Sequence, residues 1–129
     1  TFKWVNNCDL THKVFNQRQF NTSCSKVTVN SCTFTNCHNQ EEGAALFVST
    51  EGSLHIEGTI FSHCSTTSYE GAMSCRISEL SMNSTCYYNC SSSLVTNDCF
   101  HAAKIYGARS QSMTDVSLCG FALSSNNIL

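Results

Sequence analysis

Ten cysteines and five histidines are the residues of this 129-residue chain best suited to chemistry. Cys32 and Cys37 stand five apart, Cys86 and Cys90 four apart, and His38 and His63 follow or precede cysteines directly. Thiolate and imidazole hold structural zinc, but a tetrahedral site uses ligand pairs such as Cys-x2-Cys facing a second pair. No such spacing occurs. A nucleophilic cysteine needs a histidine base and a third group to orient it, and for Cys64 beside His63 no third group suggests itself. Glycoside cleavage would need two carboxyl groups at a set separation. Asp9, Asp98 and Asp115 are scattered, while Glu42/Glu70 and Glu51/Glu79 each recur 28 residues apart in turn-like surroundings. Stacked carboxylates raise one another's pKa, yet solvated turn positions account for them. The expectation is no enzyme, no metal and no cofactor.

What remains for the thiols is structure. An even number of cysteines at this density indicates an oxidising compartment, and the Asn-x-Ser/Thr triplets at Asn21, Asn83 and Asn89 agree with it as candidate glycan acceptors. Asn83 is the most accessible of the three by its place in an outward column.

The elements that position these residues come from a repeat. Phe34-Thr35-Asn36-Cys37 returns as Phe61-Ser62-His63-Cys64 and Tyr87-Tyr88-Asn89-Cys90, at spacings of 27 and 26 residues. Upstream, Val27 and Val29 match Leu54 and Ile56, then Leu80 and Met82, each pair alternating as on one face of a strand. Downstream, Gly43-Ala44-Ala45 matches Gly71-Ala72-Met73, with His101-Ala102-Ala103 as a worn third copy. Partial copies flank these at Val5-Asn6-Asn7-Cys8 and Cys119-Gly120-Phe121.

No segment has the 3.6-residue periodicity of an amphipathic helix; the short alternating runs bounded by Gly, Ser and Asn are strand-like. Units this small must stack to share a core. The predicted fold is all-β: a right-handed, single-stranded parallel β-helix of about four to five coils of 26–28 residues. It forms a single domain over 1–129, with repeats 27–53, 54–79 and 80–112 and partial coils 1–26 and 113–129. Like residues then stack in columns: Phe34/Phe61/Tyr87, Asn36/His63/Asn89, Thr59/Thr85, Ala44/Ala72/Ala102, and a cysteine ladder of Cys8, Cys37, Cys64 and Cys90. Rungs lie about 4.8 Å apart and a disulfide prefers Cβ atoms about 3.8 Å apart, so the ladder can hold buried thiols or rung-to-rung bridges. Cys24, Cys32, Cys75, Cys86, Cys99 and Cys119 are the better candidates for cross-links, with pairing undetermined. Asn36, His63 and Asn89 are read as turn residues, and Gly43 and Gly71 as meeting a backbone or packing demand.

A net charge of −2 with seven scattered Lys and Arg excludes a basic nucleic-acid footprint, and no apolar run is long enough to cross a bilayer. The absence of proline suits strands whose amides all donate in ladders. The chain starts at Thr1 and stops soon after a fresh coil begins, so it is read as a piece of a longer solenoid whose open ends meet further coils or a protein partner.

Phe34-Thr35-Asn36-Cys37 followed by Gly43-Ala44-Ala45-Leu46 resembles the polymorphic membrane protein repeat, with its Phe-x-x-Asn and Gly-Gly-Ala-Ile/Leu motifs, over residues 27–107. Cysteine stands where that family has asparagine, and Gly-Ala replaces Gly-Gly. The resemblance implies an extracellular or cell-surface stalk or adhesin contacting a host-cell or glycan ligand. His55, Glu57, Asn83 and Tyr88 are the expected interaction face. The rival expectations are a carbohydrate-active β-helix with its catalytic coil outside this segment, and an intracellular filament-associated scaffold with reduced thiols.

Overall fold

The computed structural model describes residues 2–3, 8–93, 103–118 and 121–122. Cys99 and Cys119, together with residues 5–7, Asp98, His101 and Ala102, lie outside the described residues.

The strands follow the chain turn by turn. A first, short passage holds β1 (Phe2–Lys3), β2 (Asp9–Thr11), β3 (Val14–Phe15) and β4 (Gln19–Asn21). The next two turns are β5 (Lys26–Asn30), β6 (Thr33–Thr35), β7 (His38–Asn39), β8 (Leu46–Ser49), then β9 (Ser53–Glu57), β10 (Ile60–Ser62), β11 (Ser65–Thr66), β12 (Met73–Arg76). The third holds β13 (Glu79–Tyr88), β14 (Ser91–Ser92) and β15 (Ala103–Tyr106), and β16 (Ser110–Leu118) and β17 (Phe121–Ala122) complete the described chain. Each strand pairs in parallel with its counterpart one turn away, except β17. The result is a parallel β-solenoid of about three turns, with no helix among the described residues. Sheet A is β1-β4-β8-β12-β15, sheet C is β7-β11-β14, and the large sheet B stacks β2-β5-β9-β13 beside β3-β6-β10.

The corners are made by residues in the left-handed region, which short polar side chains and glycine tolerate best. His12, Ser31, Gly58, Ser84 and Asp115 bend sheet B along its length, with φ between 48° and 59°. Asn36, His63 and Asn89 turn sheet B into sheet C, at φ 56°, 54° and 53°. The polar turn column expected from the repeat is therefore a conformational column.

Inward residues of successive rungs fill the interior like on like. Val27/Leu54/Leu80, Val29/Ile56/Met82 and Leu46/Met73/Ala103 are in register and nearly free of solvent. The aromatic column stacks face to face: Phe15 to Phe34 at 5.1 Å, Phe34 to Phe61 at 4.8 Å and Phe61 to Tyr87 at 4.6 Å between centroids, the last two within 8° of coplanar. The parallel register of the rungs sets this stacking, and Tyr87 meets its burial by donating its hydroxyl to Met73 Sδ at 3.2 Å.

Three expectations from the repeat are corrected. Phe15 continues the aromatic column, where the repeat had aligned the segment ending at Cys8, because Leu10 pairs with Val29 and Phe15 with Phe34, 19 residues on. That first turn is short because the chain passes from β3 to β4 without a strand in sheet C. Cys8 consequently falls outside the cysteine ladder. Second, the 27-residue register of sheet C (Asn39 opposite Thr66) carries unchanged into sheet A (Leu46 opposite Met73), so the small-residue column runs Ala45/Ala72, with Ala72 O accepting from the amides of both Ala45 and Leu46 at 2.9 Å. Gly43 (φ 67°) is thereby equivalent to Glu70 (φ 55°) instead of Gly71. Third, Phe121 does not open a further coil. β17 pairs antiparallel with β16; only two residues separate them, far too few for a parallel crossover.

Candidate functional site

Cys37, Cys64 and Cys90 follow the left-handed turn residues, and the turn aims each thiol inward, where at most 1% of the residue is exposed. Each Sγ donates to the carbonyl two residues back: Thr35 O at 3.8 Å, Ser62 O at 3.3 Å and Tyr88 O at 3.4 Å. Each also reaches the aromatic residue one turn below: Phe15 O at 4.0 Å, Phe34 O at 3.6 Å and Phe61 O at 3.5 Å. The thiols thus cap carbonyls at the corner between sheets B and C. Hydrogen bonding to Cys64, and then burial, hold Cys37 and Cys90 far above the usual thiol range. All three are unbridged.

The cross-link lies elsewhere. Cys8 and Cys24 form a disulfide across 16 residues, Cα atoms 5.8 Å apart, tying the short first turn to the start of β5. Cys32, Cys75 and Cys86, expected as cross-link candidates, are free thiols. Cys32 and Cys75 point into the core, and burial drives the Cys75 thiol upward. Cys86 is half-exposed in the outward column Thr33/Ile60/Cys86/Ser117.

The glycan candidates differ sharply in position. Asn21 pairs with Val48 on the inward side of sheet A and is fully buried; its Oδ1 accepts from the Ser23 and Cys24 amides at 3.0 and 2.9 Å, which leaves no room for a sugar. Asn83 is half-buried in the outward column Asn30/Glu57/Asn83/Thr114. Asn89 is exposed, and its Nδ2 lies 3.0 Å from His63 Nδ1. On the neighbouring column His38 Nδ1 sits 2.7 Å from Ser65 Oγ. Of the other expected face residues, Tyr88 is 58% exposed and edge-on to His63, and His55 stands 3.5 Å from Glu57.

A cluster that the sequence reading missed covers the outward face of sheet A. The ring of Phe47, which pairs in register with Phe20, is flanked by the guanidinium groups of Arg18 and Arg76 at 5.1 and 5.9 Å, and Arg76 also lies 4.8 Å from the Tyr106 ring. Arg18 donates to the carbonyls of Glu42 and Gly43 at 2.8 and 3.0 Å, which straps the loop before β8 onto the sheet. Glu42 Oε1 accepts from Ser74 Oγ at 2.6 Å and Arg76 Nη1 at 2.9 Å. Glu70 Oε1 accepts from Tyr106 at 2.7 Å, and its Oε2 is buried with no partner among the described residues. Burial raises the Glu70 pKa, with the Tyr106 hydrogen bond opposing and nearby Glu42 adding to the rise. Tyr106 is pushed up in turn, by burial and then by Glu70. The 28-residue spacing of Glu42 and Glu70 therefore reported real proximity. The signal for the rest was the 27-residue recurrence of Phe20 and Phe47.

Beside this cluster, where sheet A hands the chain to sheet B, runs an open groove of about 780 Å³ whose walls include Ser25, Thr50, Glu51, Arg76, Ser78 and Tyr106. Among the described residues no group of three or more His, Cys, Asp or Glu could hold a metal ion. No family model, no curated protein and no solved structure matches the chain.

Proposed function

We propose that the chain is a non-enzymatic structural or adhesive module of an extracellular or cell-surface protein, a segment of a right-handed solenoid that uses its flank for contact. The observation that carries this reading is the outward lattice. Columns such as Thr28/His55/Ser81/Ser112 and Asn30/Glu57/Asn83/Thr114 repeat polar groups at the rung spacing over a backbone whose amides are bonded along the stack. Such a surface is rigid before it meets a partner, which lowers the ordering cost of binding. The Cys8–Cys24 disulfide supports an oxidising compartment. The motifs shared with the polymorphic membrane protein repeat support the same reading by analogy, and a host-cell or glycan ligand is the partner class that follows.

The test is retention of the protein, coupled to beads, on a panel of immobilised glycans and extracellular-matrix proteins, with release of reducing or unsaturated sugar ends assayed in parallel. Retention without release is expected. Loss of retention on every surface, or catalytic release of sugar ends, overturns the proposal. Purification from its source with every cysteine alkylatable before reduction overturns the compartment.

A further inference from the structure

The groove at the corner between sheets A and B is built for a particular ligand chemistry. It crosses four rungs, so its length is roughly 14 Å at about 4.8 Å per step. Its backbone is already satisfied: Thr50 N donates to Arg76 O, Ile77 N to Tyr106 O, Ser53 N to Ser25 O and Ser78 N to Gly52 O, at 2.9 to 3.2 Å. A peptide adding itself as a strand would find these amides and carbonyls already engaged. What the walls offer instead are side-chain hydroxyls in sequence along the axis, the groups that hydrogen-bond to a sugar chain.

Arg76 and Tyr106 stand on one wall, both held in place from behind. Arg76 is clamped between the Phe47 and Tyr106 rings, and Glu42 fixes its Nη1. The Tyr106 hydroxyl is tied to Glu70. The Nε and Nη2 donors of Arg76 have no partner among the described residues, and its side chain is 47% exposed. A planar guanidinium with a free edge matches a carboxylate bidentately. Arg76 and Tyr106 are flanked by uncharged hydroxyls, while Glu51, also in the lining, repels a second anion and accepts from sugar hydroxyls.

We infer that this groove binds a sparsely charged acidic glycan, with one sugar carboxylate seated on Arg76 and neutral sugar units lying along the Ser and Thr rungs. The inference rests on the contact-module reading above and names its ligand class.

The experiment is a calorimetric titration of the whole chain with a hyaluronan hexasaccharide, alongside a heparin hexasaccharide, cellohexaose and a poly-glutamate peptide. Hyaluronan is expected to bind best, and Arg76→Gln to weaken it by about tenfold or more, the effect of one charged hydrogen bond. Tyr106→Phe keeps the ring but frees the wall from Glu70 and should weaken binding a few-fold. Amide chemical-shift mapping of the unmutated chain locates the site whether or not a variant folds, and the shifts should centre on Gly52, Ser78 and Gly107. Shifts centred elsewhere, an unchanged Arg76→Gln in a folded variant, or equal or tighter binding of heparin, cellohexaose or the peptide each overturn the inference. No hyaluronan binding by a protein still retained on the matrix panel sinks this inference alone and leaves the module reading standing.

Discussion

Phe61→Ala is the sharpest test of the stacked architecture. The ring is fully buried, 4.8 Å from Phe34 below and 4.6 Å from Tyr87 above. Truncating a core phenylalanine costs about 3–5 kcal/mol. Two lost ring contacts, each contributing about 0.5–1.5 kcal/mol beyond area, place Phe61 at the upper end of that range. Phe15 is half-buried and touches one ring, Phe34, at 5.1 Å, so Phe15→Ala should cost roughly half as much, about 2 kcal/mol. Against a typical domain stability of about 5–15 kcal/mol and a urea slope of about 2 kcal/mol/M, the two midpoints should fall by about 2 M and about 1 M. Urea titration followed by circular dichroism reads both. Equal losses, or a cost below about 1 kcal/mol for Phe61→Ala, would refute a continuous column in which each rung bears on the next.

The corners, the cross-link and the buried carboxyl each predict a further outcome. Gly52→Ala would set a Cβ 1.7 Å from the Ser25 carbonyl oxygen, and overpacking against backbone should cost about 1–3 kcal/mol or more. Gly107→Ala meets nothing nearer than 3.8 Å but keeps φ at 76°, so only the left-handed penalty of about 1 kcal/mol applies; thermal melts separate the two. Reducing Cys8–Cys24, which closes a loop of 16 residues, should cost about 3 kcal/mol, and hydrogen exchange should show protection lost over residues 9–21 while β8 to β13 keep theirs. Glu70 has a folded pKa above its unfolded value, so it favours the native state most when protonated. Its contribution is full below the unfolded pKa, declines as pH rises towards the folded value and is flat beyond. Glu70→Gln should remove that slope and leave the protein more stable than the parent at neutral pH; a variant as pH-dependent as the parent, by melts across the acid range, would refute the assignment.

Phe34, Phe61 and Tyr87, with Cys37, Cys64 and Cys90, made the architecture legible before any coordinates. In a solenoid, neighbours in space are residues one period apart in sequence, so stacking like on like leaves a visible repeat. The alternation at Val27/Val29, Leu54/Ile56 and Leu80/Met82 added the strand type and the inward face. The reading failed where the period changed and where a short motif was matched one residue off the period. The short first turn moved Cys8 off the ladder and into a disulfide with Cys24, and the constant 27-residue register put Glu70 where Gly43 had pointed to Gly71. Loop length alters register without altering the local motif, and a short run of small residues matches equally well one position off. Asn21 carries the local signature of a glycan acceptor, yet it is buried because β4 pairs with β8 in a register that turns it inward.

The candidate groove was beyond the sequence for a related reason. Arg76 and Tyr106 fall in different turns and neither belongs to a repeated motif, because outward positions are free to vary from rung to rung. Residue order alone determined the parallel stack, the all-β class and the identity of the interior columns, since burial selects like residues at a constant interval. Only the folded chain decided which cysteines bridge and which carboxyls lose water. It also decided where an arginine and a tyrosine meet, because those outcomes depend on how far each loop carries the chain between rungs.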